Sequence, residues 1–266
     1  MSLILAFKNR TETMMQCMDR IRIEASIDQA IPMTYAGRLD PMAEGLVVFL
    51  CGDLRFQKEK MLKMNKTYRV EFFLGYETDT YDILGIAQQV SGHEDQNITL
   101  ETITSFQPLG TFVQKFPAYS SRKVEGKPMF VHAKQGVIPA ESHNVTIYNY
   151  SGFLQQELPA HVLLEHIYAD TKKVVGDFRQ DAVVASWEKL APSFSEKITL
   201  YEITLSVSSG FYVRQWVSDL GTFLSTGAVT FRIARDTIGT FTMSMLNGES
   251  YRIFHDTDPM IQNLTI

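Results

Sequence analysis

One loop of this 266-residue chain carries carboxylates in a setting suited to chemistry. In the segment AGRLDPMAEG, Asp40 stands between Arg38 and Pro41, and Gly45 permits a tight backbone approach. Asp40 and Glu44 together form a carboxylate pair of the kind that glycosidases use. An Asp-Pro pair also favours a plain turn, because the aspartate side chain bonds to its own backbone. The loop therefore provides a candidate catalytic residue and leaves the turn interpretation open.

A run of basic residues lies in the middle of the chain, at Lys115, Arg122, Lys123, Lys127 and Lys134. The whole chain carries a formal net charge of −5, whereas nucleic-acid binders usually present a basic surface to phosphates. Composition alone thus argues against a nucleic-acid partner. A local basic stripe is nevertheless sufficient for binding, and the same run is also typical of a solvated face.

Cysteine and histidine spacing predicts no metal site. Cys17 and Cys51 lie among apolar neighbours without Cys-x-x-Cys spacing, so we expect buried free thiols. His161 and His166, the closest histidine pair, are five residues apart and would not share a helical face. No apolar run approaches the ~18 residues of a membrane span, and the N-terminal apolar run is too short for a signal peptide. We therefore expect a soluble, cytoplasmic protein.

Hydrophobic periodicity predicts the elements that would position the Asp40 loop. Before it we expect a strand at residues 3–7 and a helix capped by Thr11, with Met14, Met18 and Ile21 at helical spacing. After it, the apolar run Leu46–Cys51 suits a buried strand. In KTYRVEFFLG, Tyr68, Val70 and Phe72 alternate with polar residues, as on a half-buried strand.

The second half of the chain shows the same two periods. A helix is predicted near Leu100–Phe106, and TLYEITLSV alternates as a strand with Tyr201, Ile203, Leu205 and Val207 inward. An amphipathic helix follows, with apolar positions at Val213, Trp216, Val217, Leu220 and Leu224. We find no repeat and no linker. The pattern predicts one α+β domain over residues 1–266, with a mixed, mainly antiparallel sheet decorated with helices.

Four stretches, in order, resemble the TruB family of tRNA uridine-55 pseudouridine synthases. AGRLDPMAEGLVVFLCGD is similar to the family's catalytic loop, and KTYRVEFFLGYETDTYDILG to its second signature. FPAYSSRKVEGKPMFVHAKQG resembles its RNA-clasping thumb, and GFYVRQWVSDLG resembles the segment that brings an arginine to the site. FRIARDTIGTF is a fifth, looser match. The resemblance covers roughly Leu3 to Phe241 and is specific because the motifs keep their order.

The resemblance implies the pseudouridine synthase fold and a monomeric, cofactor-free isomerase. Its substrate would be uridine in folded RNA, with tRNA as the RNA and position 55 as the site. Asp40 would be the nucleophile or proton-abstracting carboxylate, Tyr68 would stack on the target base, and Arg214 would pair with Asp40. Such a reaction breaks the glycosidic bond, rotates the uracil and rejoins it through C5, which requires a carboxylate and a walled pocket.

Further positions take expected roles from the same family. Tyr212 and Ile233 fall where the family lines its uracil pocket, and Tyr35 falls where it contacts the target base. Asp82 matches an acidic position that either orients polar groups or caps a turn. Residues 107–150 would form the thumb, whose Arg122, Lys123 and Lys127 would hold the RNA backbone. For Tyr68 a core aromatic and for Arg214 an exposed helix residue are the plain alternatives.

Several departures from the family pattern bear on activity. Tyr35 replaces a histidine, and Glu44 replaces a small hydroxylated residue close to Asp40. The turn Lys8-Asn9-Arg10-Thr11 lacks the proline and glycine of the family's Lys-Pro-x-Gly. Residues 154–197 are an insertion, and residues 242–266 are too few for the RNA-binding PUA domain that many relatives carry.

These departures keep other hypotheses open. Tyr35, Glu44 and the net negative charge favour a non-catalytic RNA-binding or RNA-folding protein of the same fold. A protein-interaction module that works through the insertion is a second alternative, and a large exposed apolar patch on residues 154–197 would favour it. A glycosidase that uses Asp40 and Glu44 is physically allowed, but it leaves the other motifs unexplained.

Overall fold

A computed structural model describes residues 2–90, 98–134, 136, 141–255 and 257–265 of the chain. These residues divide into two compact units. Unit 1 comprises Met1–Tyr68 and Ala234–Ile266, and unit 2 comprises Arg69–Ile233. The predicted organisation of residues 1–266 as one catalytic domain stays a prediction. Among the described residues, no helix is both long enough and apolar enough to cross a membrane.

Strands and helices are interspersed along the described chain. The strands are β1 (Ser2–Lys8), β2 (Met33–Tyr35), β3 (Ala43–Cys51), β4 (Lys66–Leu74), β5 (Tyr76–Thr78), β6 (Ala87–Gln89), β7 (Gly110–Lys115), β8 (Lys123–Val124), β9 (Lys127–Pro128), β10 (Ser142–Pro159), β11 (Lys197–Val207), β12 (Ala228–Ile238), β13 (Phe241–Thr242) and β14 (Tyr251–His255). The helices are α1 (Met14–Glu24), α2 (Lys58–Leu62), α3 (Leu100–Phe106), α4 (Met129–Lys134), α5 (Ala160–Lys173), α6 (Gln180–Leu190), α7 (Val213–Phe223) and α8 (Pro259–Thr265).

Unit 1 is built on antiparallel strands, with the N-terminal strand β1 between two others. Strand β1 pairs with β14 on one side and with β3 on the other, and β2 adds to β3. Alternate side chains of these strands, among them Leu3, Leu5, Val48 and Leu50, join one buried core. The loop that contains Asp40 connects β2 to β3, so the core strands fix both of its ends.

Unit 2 contains a second antiparallel group, in which β10 pairs with both β7 and β11. The inward side chains of β11 include Tyr201 and Ile203, and α7 buries Trp216, Val217 and Leu220. All pairings between named strands within each unit are antiparallel in the described residues. The predicted α+β fold with a mainly antiparallel sheet is therefore confirmed.

The predicted cap of the first helix is wrong by two residues. Thr13 is the N-cap of α1, and its side chain and that of Gln16 form a reciprocal capping box. Thr11 instead adopts a left-handed backbone with φ +70°, a conformation in which glycine is favoured. Thr11 thus occupies the place of the family's glycine and keeps the turn despite its side chain.

The predicted thumb and insertion meet inside one strand. The pairing of β10 with β11 shifts register between Ser151 and Leu154, where Gly152 has φ +62°. Beyond this bulge, the end of β10 pairs with the start of β11, and α5 and α6 lie between them in sequence. Residues 135 and 137–140 of the predicted thumb lie outside the described residues.

Candidate functional site

The loop that carries Asp40 depends on one close backbone approach. Gly45 has φ +110°, and a Cβ atom added there would lie 2.4 Å from the backbone oxygen of Arg235. Any side chain at this position would therefore push β12 away from the start of β3. At the other end of the loop, the amide of Ala36 donates to the oxygen of Val48 at 2.9 Å. The loop is thus closed at both ends within unit 1.

Arg235 also holds this loop through its side chain, which is only 1% exposed. Its Nε donates to the oxygen of Leu46 at 2.7 Å. Its two terminal nitrogens donate to the oxygens of Arg38 and Gly37, at 3.2 and 3.3 Å. A buried guanidinium is tolerated only when its donors find acceptors, and here two acceptors are carbonyls of the loop, while the third, that of Leu46, belongs to β3.

Lys8 holds the opposite side of the loop and is fully buried. Its Nζ donates to the backbone oxygens of Ala43, Asn9 and Pro41, at 2.6, 3.0 and 3.4 Å. Burial lowers the pKa of Lys8 to about 8, although the charges of Glu12 and Asp40 act in the opposite direction. The amide of Thr11 donates to the oxygen of Pro41 at 2.7 Å, so the N-terminal turn also contacts the loop.

Asp40 itself is half-buried, and its backbone oxygen accepts from the amide of Ala43 at 3.0 Å. This hydrogen bond closes a tight turn, as an Asp-Pro pair favours. The turn and catalytic interpretations are compatible, because the turn leaves the carboxylate partly accessible in a loop that two buried cations hold in place.

Tyr68 and Tyr35, the two aromatic residues of unit 1 that were predicted to contact the target base, differ in their surroundings. Tyr68 lies on the inward face of β4 and is 9% exposed. Tyr35 is half-buried at the end of β2, with the guanidinium of Arg38 and the ammonium of Lys58 each 5.5 Å from its ring centroid. These contacts are cation–π interactions, which leave a basic surface beside the ring.

In unit 2, Arg214 is buried at the start of α7, only 3% exposed. Its Nε lies 3.5 Å from a carboxylate oxygen of Asp82, and its terminal nitrogens donate to the backbone oxygens of Thr80 and Tyr119, at 2.5 and 3.2 Å. The alternative of an exposed helix residue is therefore wrong. The predicted pairing of Arg214 with Asp40 stays a prediction.

Asp82 both closes a turn and orients polar groups. One of its carboxylate oxygens accepts from the amide of Leu84 at 2.9 Å and from the hydroxyl of Thr80 at 2.7 Å. The other faces Arg214. Asp82 is 4% exposed and forms an isolated bridge with Thr230 on β12. The segment of the second signature thus provides buried polar groups that contact Arg214.

Tyr212 is held by a reciprocal pair of hydrogen bonds with Gln114. The Gln114 side chain donates to the oxygen of Tyr212 at 3.0 Å and accepts from its amide at 2.8 Å. The Tyr212 ring meets the rings of Phe116 and His143 edge-on, and those two rings stack on each other with centroids 4.2 Å apart. Ile233 is buried in β12, 4% exposed, as a pocket wall or a core residue would be.

The predicted RNA-backbone residues lie on the surface of unit 2. Arg122, Lys123 and Lys127 are all exposed, around the short β8–β9 hairpin. Arg122 lies over the ring of Phe116, 5.2 Å from its centroid. Within the described residues, no group of three or more His, Cys, Asp or Glu side chains could hold a metal ion.

Sequence reasoning missed three structural supports of the site: Lys8, Arg235 and Gln114. Each is at most 1% exposed. A signal was present for Arg235, because it continues the alternation of buried residues on β12 and so places a charge at a core position. Lys8 and Gln114 end or nearly end their strands, and apart from Asn9 their hydrogen-bond partners are distant in sequence, so periodicity could not reveal them.

Comparison with known proteins gives a consistent picture. A model of the TruB family pseudouridylate synthases (N-terminal domain) matches residues 28–171. The tRNA pseudouridine synthase B of Blochmanniella floridana is 28% identical over 214 residues, which cover 80% of this chain and 67% of that protein. That of Wigglesworthia glossinidia brevipalpis is 29% identical over 205 residues, 76% and 49% of the two chains. The chain thus spans about half to two thirds of the length of these relatives.

Among solved structures, a chain of a Cbf5-Nop10-Gar1 complex superposes with a TM-score of 0.54 at 14% identity, covering 91% of this chain and 50% of that one. At this identity the likeness shows the fold alone. It agrees with the pseudouridine synthase fold that the sequence motifs predicted. Because the family model matches more than half of the chain, this protein belongs to the TruB family.

Proposed function

We propose that this protein isomerises uridine to pseudouridine in RNA, with tRNA as the RNA and uridine 55 as the position. The observation that carries the proposal is the Asp40 loop. Lys8 and Arg235 hold it by hydrogen bonds to the loop carbonyls of Gly37, Arg38 and Pro41 and to those of Ala43 and Leu46 at the start of β3. A loop that only connected two strands would not require two buried cations. Family membership supports the same reaction.

Asp40 is the proposed nucleophile or proton-abstracting carboxylate. The reaction breaks the bond between the sugar and N1 of uracil, and the freed base turns and rejoins the sugar through C5. The hydrogen at C5 is then released, and N1 gains a proton, so the product is an isomer of the substrate. No redox step is involved, and the proposal includes neither a cofactor nor a metal.

The other site residues are proposed to bind the flipped nucleotide. Tyr68 would stack on the uracil, Tyr212 and Ile233 would line its pocket, and Arg214, supported by Asp82, would supply a cation. Extruding a stacked nucleotide costs a few kcal/mol, which contacts of this kind must offset. The buried ion pair between Arg214 and Asp82 keeps the guanidinium in one orientation, as a preorganised site requires.

The exposed thumb residues Arg122, Lys123 and Lys127 are proposed to contact RNA phosphates. The chain's net charge of −5 makes this local surface important, because phosphates would be repelled elsewhere. Recognition would then rest on the shape of a stem-loop and on a few splayed bases, as is usual for RNA. We propose that the protein acts as a monomer in the cytoplasm.

A non-catalytic RNA-binding protein is the second candidate. The observation that favours it is Tyr35, which replaces the family's histidine and has the cations of Arg38 and Lys58 each 5.5 Å from its ring centroid. Such a ring could stack on a base without chemistry. The interaction-module alternative gains no support, since Leu154 and Val175 are the large hydrophobic residues exposed within residues 154–197, all of which the structure describes. Two exposed hydrophobic residues are too few for the large patch that would favour this alternative.

The test is conversion of an unmodified tRNA transcript. After incubation, pseudouridine is mapped by carbodiimide treatment and primer extension, with a transcript that carries cytidine at position 55 as the control. A stop at position 55 that the control lacks would support the full proposal. A stop at another uridine would keep the reaction and refute the position. Binding without conversion in any tRNA or rRNA fragment would refute the enzyme and favour the RNA-binding candidate.

A further inference from the structure

The insertion at residues 154–197 docks onto the second signature of unit 2. It contains seven acidic and five basic residues, so its net charge does not suit a phosphate-binding surface. Trp187 of α6 is fully buried and donates from its Nε1 to the oxygen of Ile83 at 3.1 Å. Ser186 accepts from the amide of Ala87 at 3.0 Å. Helix α6 is thus anchored to the segment that contains Asp82.

Aromatic packing strengthens this anchor. The Trp187 ring lies 6.1 Å from the ring of Phe73 and 6.2 Å from that of Tyr76. Phe194, which follows α6, stacks on Tyr76 with centroids 4.2 Å apart. Buried aromatic clusters of this kind contribute strongly to packing, so the position of α6 relative to β5 is well defined.

Arg179 reaches from the start of α6 to two other segments. Its terminal nitrogens contact both carboxylate oxygens of Asp79, at 2.6 and 3.2 Å, in a bidentate ion pair. Its guanidinium also lies over the ring of Tyr119, 4.8 Å from the centroid. One side chain therefore joins the second signature to the thumb.

The backbone of Arg179 is strained, which indicates that these contacts determine its conformation. It is the N-cap of α6 but has φ +57°, and its side chain makes no capping hydrogen bond. Serine, threonine, asparagine and aspartate are the usual residues at such a position. A non-glycine residue keeps a left-handed conformation only where surrounding contacts require it.

Arg214 contacts the same two segments. It pairs with Asp82, donates to the oxygen of Thr80, and donates to the oxygen of Tyr119. Arg179 holds Asp79, which directly precedes Thr80, and it also contacts the ring of Tyr119, whose backbone oxygen accepts from Arg214. Residues 79–82 and Tyr119 are therefore held by two arginines, one from the family motif and one from the insertion.

We propose that the insertion supports the functional site and that Arg179 is a positioning residue, which fixes residues 79–82 and Tyr119 so that Arg214 keeps its orientation. This inference rests on the proposed function and extends it to Arg179, which lies outside the motifs that resemble the family. Loss of Arg179 lowers the rate of the chemical step and leaves RNA binding by the exposed thumb residues unchanged.

The kinetic test compares Arg179→Ala and Arg179→Gly with the natural protein. Both variants lose the contacts, but glycine also removes the backbone strain. We expect kcat for pseudouridine formation to fall by roughly threefold to tenfold in both variants, because each loses one partly exposed bidentate ion pair and one cation–π contact. KM for RNA should be unchanged. Arg179→Lys, which keeps the charge, restores part of the rate. Lys189→Ala, at an exposed position of α6, is the matched control.

Natural kcat in Arg179→Gly would overturn the proposal, and so would an equal loss in the Lys189 control. Hydrogen exchange of the free protein supplies a readout that does not depend on activity. The amide of Ile86, which donates to Asp79 at 2.8 Å, should exchange faster in both Arg179 variants. If the natural protein forms no pseudouridine, the proposed function fails, and unchanged exchange would separately overturn this inference.

Discussion

At the residue scale, the Asp40 loop depends on groups that are costly to bury. Lys8 and Arg235 are fully or almost fully buried, and their cost is offset by hydrogen bonds to backbone carbonyls. Because those carbonyls belong to the loop or to the start of β3 that follows it, the same bonds that satisfy the cations also hold the loop. The conformation around Asp40 should therefore respond to the protonation of Lys8.

The pKa of Lys8 leads to a prediction on stability. In the folded protein Lys8 loses its proton near pH 8, because burial lowers its pKa to about 8, whereas the unfolded chain keeps it until about pH 10.4. Between these values the unfolded state binds more protons, so the free energy of unfolding rises with pH. We expect this rise, up to about 1.4 kcal/mol per pH unit, in the natural protein relative to Lys8→Met. Denaturant titrations from pH 7 to pH 10 measure it, and a constant difference would contradict the burial effect.

Gly45 gives a second prediction at this scale. Gly45→Ala places a Cβ atom 2.4 Å from the oxygen of Arg235, so we expect it to lower the free energy of unfolding by roughly 3 kcal/mol or more. Gly248 also has a positive φ, but an added Cβ atom there meets nothing within 4 Å. Gly248→Ala should therefore cost only about 1 kcal/mol. Equal losses in urea unfolding would show that φ, and not the approach of β12, limits position 45.

Motifs and contacts differ in how far they could be predicted. Asp40, Tyr68 and Arg214 were assigned because short motifs retained their order. The partners of Arg214 could not be predicted, since Thr80 and Tyr119 contribute backbone oxygens that any residue would offer. Arg179 was missed for a related reason, because none of the motifs that carry the resemblance contains it and its ion pair joins residues 100 positions apart.

At the element scale, periodicity predicted β4, β11 and α7 well, because each buries one face. Caps were predicted less well. Thr11 and Thr13 are two residues apart with the same side chain, and only backbone geometry distinguishes the turn from the cap. The insertion was visible as helical pattern, but its docking through Trp187 was not.

The two threonines provide opposite predictions. Thr13→Ala removes the capping side chain of α1 and should lower the free energy of unfolding by about 1 kcal/mol. Thr11→Gly relieves a left-handed backbone at a β-branched residue and should raise that free energy by up to about 1 kcal/mol. Thermal and urea unfolding of both variants test the assignment. A large loss on changing Thr11 would restore it as a cap.

At the scale of the whole molecule, charge is the property that conflicts with RNA binding. A chain of net charge −5 needs a local basic surface, and the exposed thumb residues supply one. Each of the variants Arg122→Ala, Lys123→Ala and Lys127→Ala should weaken RNA binding and reduce the slope of log affinity against log salt by roughly 1. Filter binding from low to moderate salt measures these slopes. Lys189→Ala should leave the slope unchanged, and an equal change there would contradict a thumb-specific contact.

If Asp40 carries out uridine isomerisation, tritium at C5 of uridine in a tRNA transcript is released during the reaction. The natural protein should release tritium, and Asp40→Asn should release none while still binding the RNA. Asp53→Asn is the matched control, because Asp53 is exposed and pairs only weakly with Arg55 at 3.6 Å. It should release tritium at the natural rate. Full release by the Asp40 variant, or none by the natural protein with RNA still bound, would contradict the account.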